Sequence, residues 1–446
     1  MNIPIRNHNR LAKTQICSSH MVISFLISIS LFLGFTSNSF GSTQQVLIFG
    51  NNDTAASGVV EYNVPTGSDS YDPVEANRLV MWPSSGTIDD LRVEMQTSPQ
   101  TGAGTQSFTM TLRIDVGCDG IGEDTSLACT ISEDEVACNN SSGFSVNVGE
   151  CVSMSTTPSG TPGRDDMWWS ITFTPTTADE TVMVSNDSGT SLATSGTQYL
   201  AMHAGTNPTT VSFDRSTLIP TGGTFKNLYV ALITPPGVGS SRTFAFGTVD
   251  CTITDLETTC NSSGDTQAVT AGEKYALTST VGGTPLASLV YIGIVFDPTT
   301  EGEWIIAFSN DDDLNATTTE YHQLNVGGAK VWTATEADTH QLVQTGSFAV
   351  DMIIKNMYVE LEADPGATGD KFTFRLRANV GDASAQLECD LDGVQTCNSS
   401  ATVVIADDDL MNVRVIPTST PAVGPAIMSY TGFITPVSDA RRIIFI

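Results

Sequence analysis

Three phrases in this chain place cysteines where they could form disulfides. CTISEDEVACNNSS at 129–142, CTITDLETTCNSS at 251–263 and CDLDGVQTCNSS at 389–400 each hold two cysteines, nine, nine and eight positions apart. Cys251 with Cys260 and Cys389 with Cys397 are the only cysteines of their regions, so each pair must be able to bond locally. By the same logic Cys129 pairs with Cys138, which leaves Cys118 for Cys151. Short loops closed in this way restrict the unfolded chain. A zinc site is the poorer reading, because no Cys-x-x-Cys and no nearby histidine accompany them. The N-x-S sequons at Asn139, Asn140, Asn261 and Asn398 read as turn residues.

One acidic loop belongs to the first phrase alone. DVGCDGIGED at 115–124 supplies Asp115, Asp119, Glu123 and Asp124, oxygen ligands of the kind calcium takes. The loop departs from the EF-hand pattern at its third and twelfth positions. Other chemistry is sparse. His203, His322 and His340 sit in no H-E-x-x-H, and no G-x-S-x-G elbow or Walker loop occurs. Paired carboxylates mean little among 49 acidic residues. Of five tryptophans, Trp168 and Trp169 read as core or inter-module packing, with a sugar-stacking platform as the lesser reading. The chain is not expected to be an enzyme.

The elements that must position the cysteines recur with them. LRVEMQTSP at 91–99, LYVALITPP at 228–236 and MYVELEADP at 357–365 each read as a strand closed by proline. FTMTLRI, FAFGTV and FTFRLRA follow, then the cysteine phrase, then a turn at Gly149-Glu150, Gly272-Glu273 or Asp408-Asp409. Thr-Pro comes 13 residues after each turn begins, at Pro162, Pro285 and Pro421. The closing strands WWSITFTP, YIGIVFDP and YTGFITP end at Pro175, Pro298 and Pro436. Apolar residues alternate with polar ones, and no stretch sustains a helical stripe. The expected fold is all-β: three tandem antiparallel β-sandwich modules of jelly-roll or Greek-key type, at 43–180, 181–303 and 304–446.

Residues 1–42 differ in kind. Arg6, Arg10 and Lys13 precede the apolar run MVISFLISISLFLGF, with small residues near Gly41, which describes a secretory signal peptide. The run is short for a membrane span, and no transmembrane span is expected in the mature chain. Cys17 precedes the run, so it is not the lipid-bearing cysteine of a lipoprotein signal. Loss of three basic residues with the signal takes the net charge from −30 to −33. Such acidity disfavours nucleic acid as a partner and suits solubility outside the cell. An even cysteine count in an exported chain fits disulfides.

GTFKNLYVALITPP from Gly223, followed by a C-T-I strand and a V-x-A-G-E turn, resembles modules of phage virion and fibre proteins and of bacterial surface proteins. The resemblance runs from about 86 to 436. It implies a jelly-roll-like shape and a place in a fibre or surface layer, and it transfers no catalytic residue.

A further apolar strand stands at each module boundary. TVMVSND at 181–187 and WIIAFSND at 304–311 have a counterpart in VLIFGNND at 46–53 and a truncated one in RRIIFI at 441–446. Four copies serve three modules. Each copy either completes the module before it or leads the one after it. Under the first rule Val46, Leu47, Ile48 and Phe49 form a strand to be donated to another molecule. Ile443, Ile444, Phe445 and Ile446 would then yield or share that groove. Open head-to-tail growth would follow, whereas under the second rule VLIFGNND is the ordinary first strand of its own module and the chain stays monomeric. The expected protein is a secreted structural subunit of an extracellular filament, fibre or surface layer, partnered by itself or by other cell-surface components. The alternative is a secreted adhesin or carbohydrate-binding protein. No cofactor is expected beyond calcium.

Overall fold

Alternation in the sequence becomes alternation across sheets. In Lys371–Ala378, Phe372, Phe374 and Leu376 point into a core while Arg375 pairs with Glu388 at the surface. The computed structural model describes residues 44–51, 53–67, 70–101, 104–324, 327–328, 331–336, 339, 341–342, 352–378, 387–406 and 409–434. Among these the chain is all-β. Its helices are single 3-10 turns, such as Glu75–Asn77 and Phe213–Arg215. Residues 1–43 and 435–446, the segments read as a signal peptide and as the truncated last boundary strand, lie outside the described residues.

The sheets stack in pairs around three hydrophobic clusters. In the first pair, one sheet runs Gln45–Asn51, Met167–Pro175, Gly86–Met95, Ala137–Asn140; the other runs Glu61–Asn63, Cys151–Ser159, Ser107–Asp115, Glu123–Ser132. The second pair repeats this order with Thr181–Asn186, Val290–Pro298, Gly223–Leu232, Thr259–Asn261 facing Thr197–Leu200, Leu277–Gly282, Ser241–Phe246, Val249–Thr254. The third uses Glu303–Asn310, Ala426–Ile434, Met352–Leu361, Thr396–Ile405 facing Glu320–His322, Leu410–Thr418, Lys371–Ala378, Glu388–Asp392.

Register is fixed at the same place in all three. Asp90, Asn227 and Asn356 adopt positive φ of 51°, 53° and 53°. Each sits at a bulge where two residues of the Gly86–Met95 type of strand oppose one residue of its neighbour. Aspartate and asparagine tolerate that left-handed backbone better than other non-glycine residues. The third closing strand differs from its reading in the sequence. Ile434, not Pro436, holds the position of Pro175 and Pro298, opposite Met352 as those prolines oppose Gly86 and Gly223.

The boundary strands lead the modules that follow them. Gln45–Asn51 pairs with Met167–Pro175, Thr181–Asn186 with Val290–Pro298, and Glu303–Asn310 with Ala426–Ile434. Val46, Leu47, Ile48 and Phe49 fill a sheet edge of their own chain, the second of the two arrangements open to the boundary strands.

Each leading strand serves two cores. Met183 packs in the second cluster, but Val182 and Val184, on its opposite face, join the first. Trp304, Ile306 and Phe308 belong to the third, while Ile305 and Ala307 join the second. Leu47 belongs to the first, and Val46 and Ile48 join the third. The set closes: first on third, second on first, third on second. Short strands follow the same rotation. Val80–Met81 touches Thr181–Asn186 and Val290–Pro298; Thr217–Leu218 touches Glu303–Asn310 and Ala426–Ile434; Gln341–Leu342 touches Gln45–Asn51 and Met167–Pro175. Three sandwiches thus form a ring within one chain.

Candidate functional site: the joints of the ring

The cysteines sit where two sheets of one sandwich must be tied. Cys129 lies on an outer strand of one sheet, opposite Met110, and Cys138 on an outer strand of the other, opposite Val93. Their bond spans the sandwich edge with Cα atoms 5.8 Å apart. Cys251–Cys260 and Cys389–Cys397 do the same at 5.7 and 5.9 Å. Cys118–Cys151, at 5.2 Å, ties a loop rather than a sheet edge.

That loop holds the acidic candidates, and it spends them on itself. Asp115 accepts the N–H groups of Gly117, Gly120 and Ile121 at 3.0, 2.8 and 3.2 Å, and Asp119 accepts Ile121 N–H at 3.2 Å. Asp124 bonds Arg113, whose guanidinium also meets Glu75 at 2.8 Å. Burial raises the Asp115 carboxyl above its ordinary range, against the pull of those N–H donors. Glu123 stays exposed. Among the described residues no group of three or more His, Cys, Asp or Glu is arranged to hold a metal ion. The loop instead packs into the joint between the first and second sandwiches: Cys118 and Cys151 form one apolar cluster with Leu79, Met81, Ala231 and Tyr291. The equivalent place between the second and third sandwiches is a cleft of about 230 Å³, lined by Leu218, Tyr358, Glu360 and Cys397 among others. In the second sandwich the counterpart of the 115–124 loop, between the equivalent strands, is the tight turn joining Ser241–Phe246 to Val249–Thr254.

Polar bonds repeat across these two joints. Ser84 Oγ donates to Glu180 at 2.6 Å, and Lys226 Nζ lies 3.2 Å from Glu180 and 2.9 Å from Asp297. At the next joint Thr221 donates to Glu303, which Lys355 meets at 2.5 Å. Burial pulls the Lys226 ammonium down, but its bonds to Asp297 and Glu180 outweigh this and hold it above the usual lysine range. Arg215 reaches across to Asp311 at 3.2 Å, as Arg78 reaches Ser188 at 3.4 Å. Asn186 donates to the carbonyls of Asn77 and Leu79 at 3.2 and 2.9 Å, and Tyr291 Oη to that of Ala76 at 2.7 Å. His203 Nε2 lies 3.4 Å from Ser309 Oγ. Burial, and then the charge of Arg215, push the His203 imidazole down to about 3.

At the third joint, between the third and first sandwiches, one pair of described positions differs. Register places Gln44 where the others have Glu180 and Glu303, and Asp89 where they have Lys226 and Lys355. Asp89 turns inward to the Thr172 hydroxyl, and burial raises its carboxyl. None of this was visible before the register was known.

The two adjacent tryptophans take the place in the core that the sequence favours for them. Trp168 and Trp169 are 3% and 0% exposed, so neither ring is presented to a sugar.

No protein-family model matches the chain, and no curated protein does. Among solved structures, one protein described with the triple jelly roll fold and turret assembly of an archaeal virus is 10% identical. The match covers 80% of this chain and 82% of that one at a TM-score of 0.16. Another, from the atomic structure of Sulfolobus turreted icosahedral virus, is 11% identical and covers 80% and 81% at 0.17. Neither is a phage fibre or bacterial surface protein, and likenesses this slight carry no argument about this chain.

Proposed function

We propose that this chain is an exported structural subunit, a building block of an extracellular filament, fibre or surface layer, without catalysis. The observation that carries the reading is the sharing of leading strands between cores. Each strand gives one face to its own sandwich and the other to the preceding one, so the sandwiches stand as one block rather than as beads on a string. Four disulfides suit an oxidising exterior. Their positions tie sheets and a joint, which is scaffolding work. High negative charge keeps such a block soluble until it is placed. The partners of this reading are other copies or other surface components.

Immunogold labelling of the producing cells, in thin section and in shed material, tests the proposal. Label on an ordered extracellular layer or fibre is expected. Label confined to the cell interior, or only on dispersed soluble protein, would sink it.

A further inference from the structure

The sequons that read as turn residues in the sequence lie in strands instead. Asn139 and Asn140 belong to Ala137–Asn140, Asn261 ends Thr259–Asn261, and Asn398 sits in Thr396–Ile405, in each case an outermost strand of its sheet. Asparagine is depleted in strands, and none of these has the positive φ that would account for it in a turn. The middle residue of the first two sequons has a structural task. Asn140 Nδ2 donates to Ser126 O and Ala128 O at 3.2 and 2.8 Å, and Ser262 Oγ accepts the Leu228 N–H at 2.9 Å. The two residues that a sequon requires have no such task. Asn139 with Ser141, Asn261 with Ser263 and Asn398 with Ser400 are all exposed, and among the described residues their side chains make no hydrogen bond. In Thr396–Ile405 the period of two sends Asn398 and Ser400 to one outward face, while Cys397 turns in to its disulfide.

We propose that the exported chain carries N-linked oligosaccharides on Asn139, Asn261 and Asn398, one on each sandwich. Nδ2 of each asparagine bonds to the anomeric carbon of a sugar delivered on a lipid diphosphate. The anomeric C–O bond breaks, the lipid diphosphate leaves and one amide proton is lost. The geometry also says where sugar does not go. The linkage leaves Nδ2 a single hydrogen, whereas Asn140 uses two. Asn186, in the sequon Asn186-Asp187-Ser188, is 0% exposed and donates to the carbonyls of Asn77 and Leu79. Asn315, in Asn315-Ala316-Thr317, is exposed but stands outside the threefold set. Asn398 lies opposite Tyr358 in the ladder and lines the cleft between the second and third sandwiches. Its first sugar therefore meets an aromatic ring and roofs that cleft. Bulky, hydrated groups on three outermost strands also cover edges that otherwise invite pairing. The inference rests on the export in the building-block reading and adds a chemical modification to it.

The test uses the chain isolated from the cells that produce it. Electron-transfer fragmentation of its peptides should place sugar on Asn139, Asn261 and Asn398 and find Asn140 and Asn186 bare. Ser141→Ala, Ser263→Ala and Ser400→Ala should each lose the sugar of one sandwich, whereas Ser142→Ala, which breaks only the sequon of Asn140, should lose none. All four serines are exposed, so these variants should fold as wild type does. Bare asparagines at the three positions would overturn the proposal, as would sugar on Asn140 in place of Asn139 or sugar kept after loss of the serine hydroxyl. The same peptides show whether residues 1–42 have been removed. A processed chain with bare asparagines sinks the modification alone and leaves the building-block reading standing. An unprocessed chain sinks the export on which both rest.

Discussion

The indole of Trp304 lies against Gly432 and leaves no room for a Cβ there. In the other sandwiches the arrangement is reversed. Phe173 and Phe296, on the closing strands, cover Gly86 and Gly223, and the leading strands carry Gln45 and Thr181 where the third carries Trp304. One large ring fills each site, supplied by a different strand.

Gly432→Ala should therefore destabilise the third sandwich by about 1–3 kcal/mol through overpacking. Trp304→Ala should cost about 3–5 kcal/mol through the cavity it leaves. Because the two residues occupy one space, the double variant should cost clearly less than the sum. Urea unfolding of the four proteins checks this, and simple additivity would contradict the packing described.

Much of this fold was legible because it was written three times. The cysteine phrases, the strands ending in proline and the glycine turns all mark places where backbone geometry restricts residue choice, and such places survive repetition. Trp304 and Gly432 were not legible, because the ring moved from one strand to another and the total volume stayed the same. The joints were hidden for a different reason. Gln44 and Glu180, or Asp89 and Lys226, become equivalent only once sheet register aligns them. The two faces of TVMVSND could be read as apolar, but not that Val182 and Met183 enter different cores.

Protonation of His203 should weaken the joint between the second and third sandwiches. Its imidazole is held at about 3 in the folded protein, against about 6.5 when unfolded. The folded state thus binds the proton less readily, and stability is lost as pH falls below 6.5 towards 3. At pH 5 the loss is on the order of 2 kcal/mol relative to neutral pH. Asp187 acts in the opposite sense: burial holds its carboxyl well above the ordinary range, so its contribution declines as pH rises from about 4. Comparing wild type with His203→Gln in urea at pH 7.5 and 5 separates the two. The variant should lose less stability on acidification, and an unchanged difference would refute the role of His203.

The loop at 115–124 should behave as a plug and not as a cation site. Cys118→Ser with Cys151→Ser releases a bond between residues 33 apart, which should cost about 3–4 kcal/mol. It should also raise hydrogen exchange at Gly223–Leu232 and Val290–Pro298, across the joint. Chelation of divalent cations should leave the melting temperature of wild type unchanged, since Asp115 and Asp119 already accept backbone N–H groups and Asp124 already meets Arg113. A drop on chelation would place calcium in this loop.

Glu303 and Lys355 offer the sharpest comparison between joints. Glu303 is 2% exposed, and it is held by Lys355 and by the Thr221 hydroxyl of the preceding sandwich. Removing the lysine alone, as Lys355→Met, leaves a buried carboxylate with one neutral donor, a change of about 3–5 kcal/mol where the charge is fully desolvated. Replacing both, as Glu303→Gln with Lys355→Met, removes the stranded charge and keeps an acceptor for Thr221. The double variant should therefore be more stable than Lys355→Met. Differential scanning calorimetry of wild type, both single variants and the double variant reads the coupling directly. If Lys355→Met and the double variant melt together, the ion pair contributes nothing at this joint.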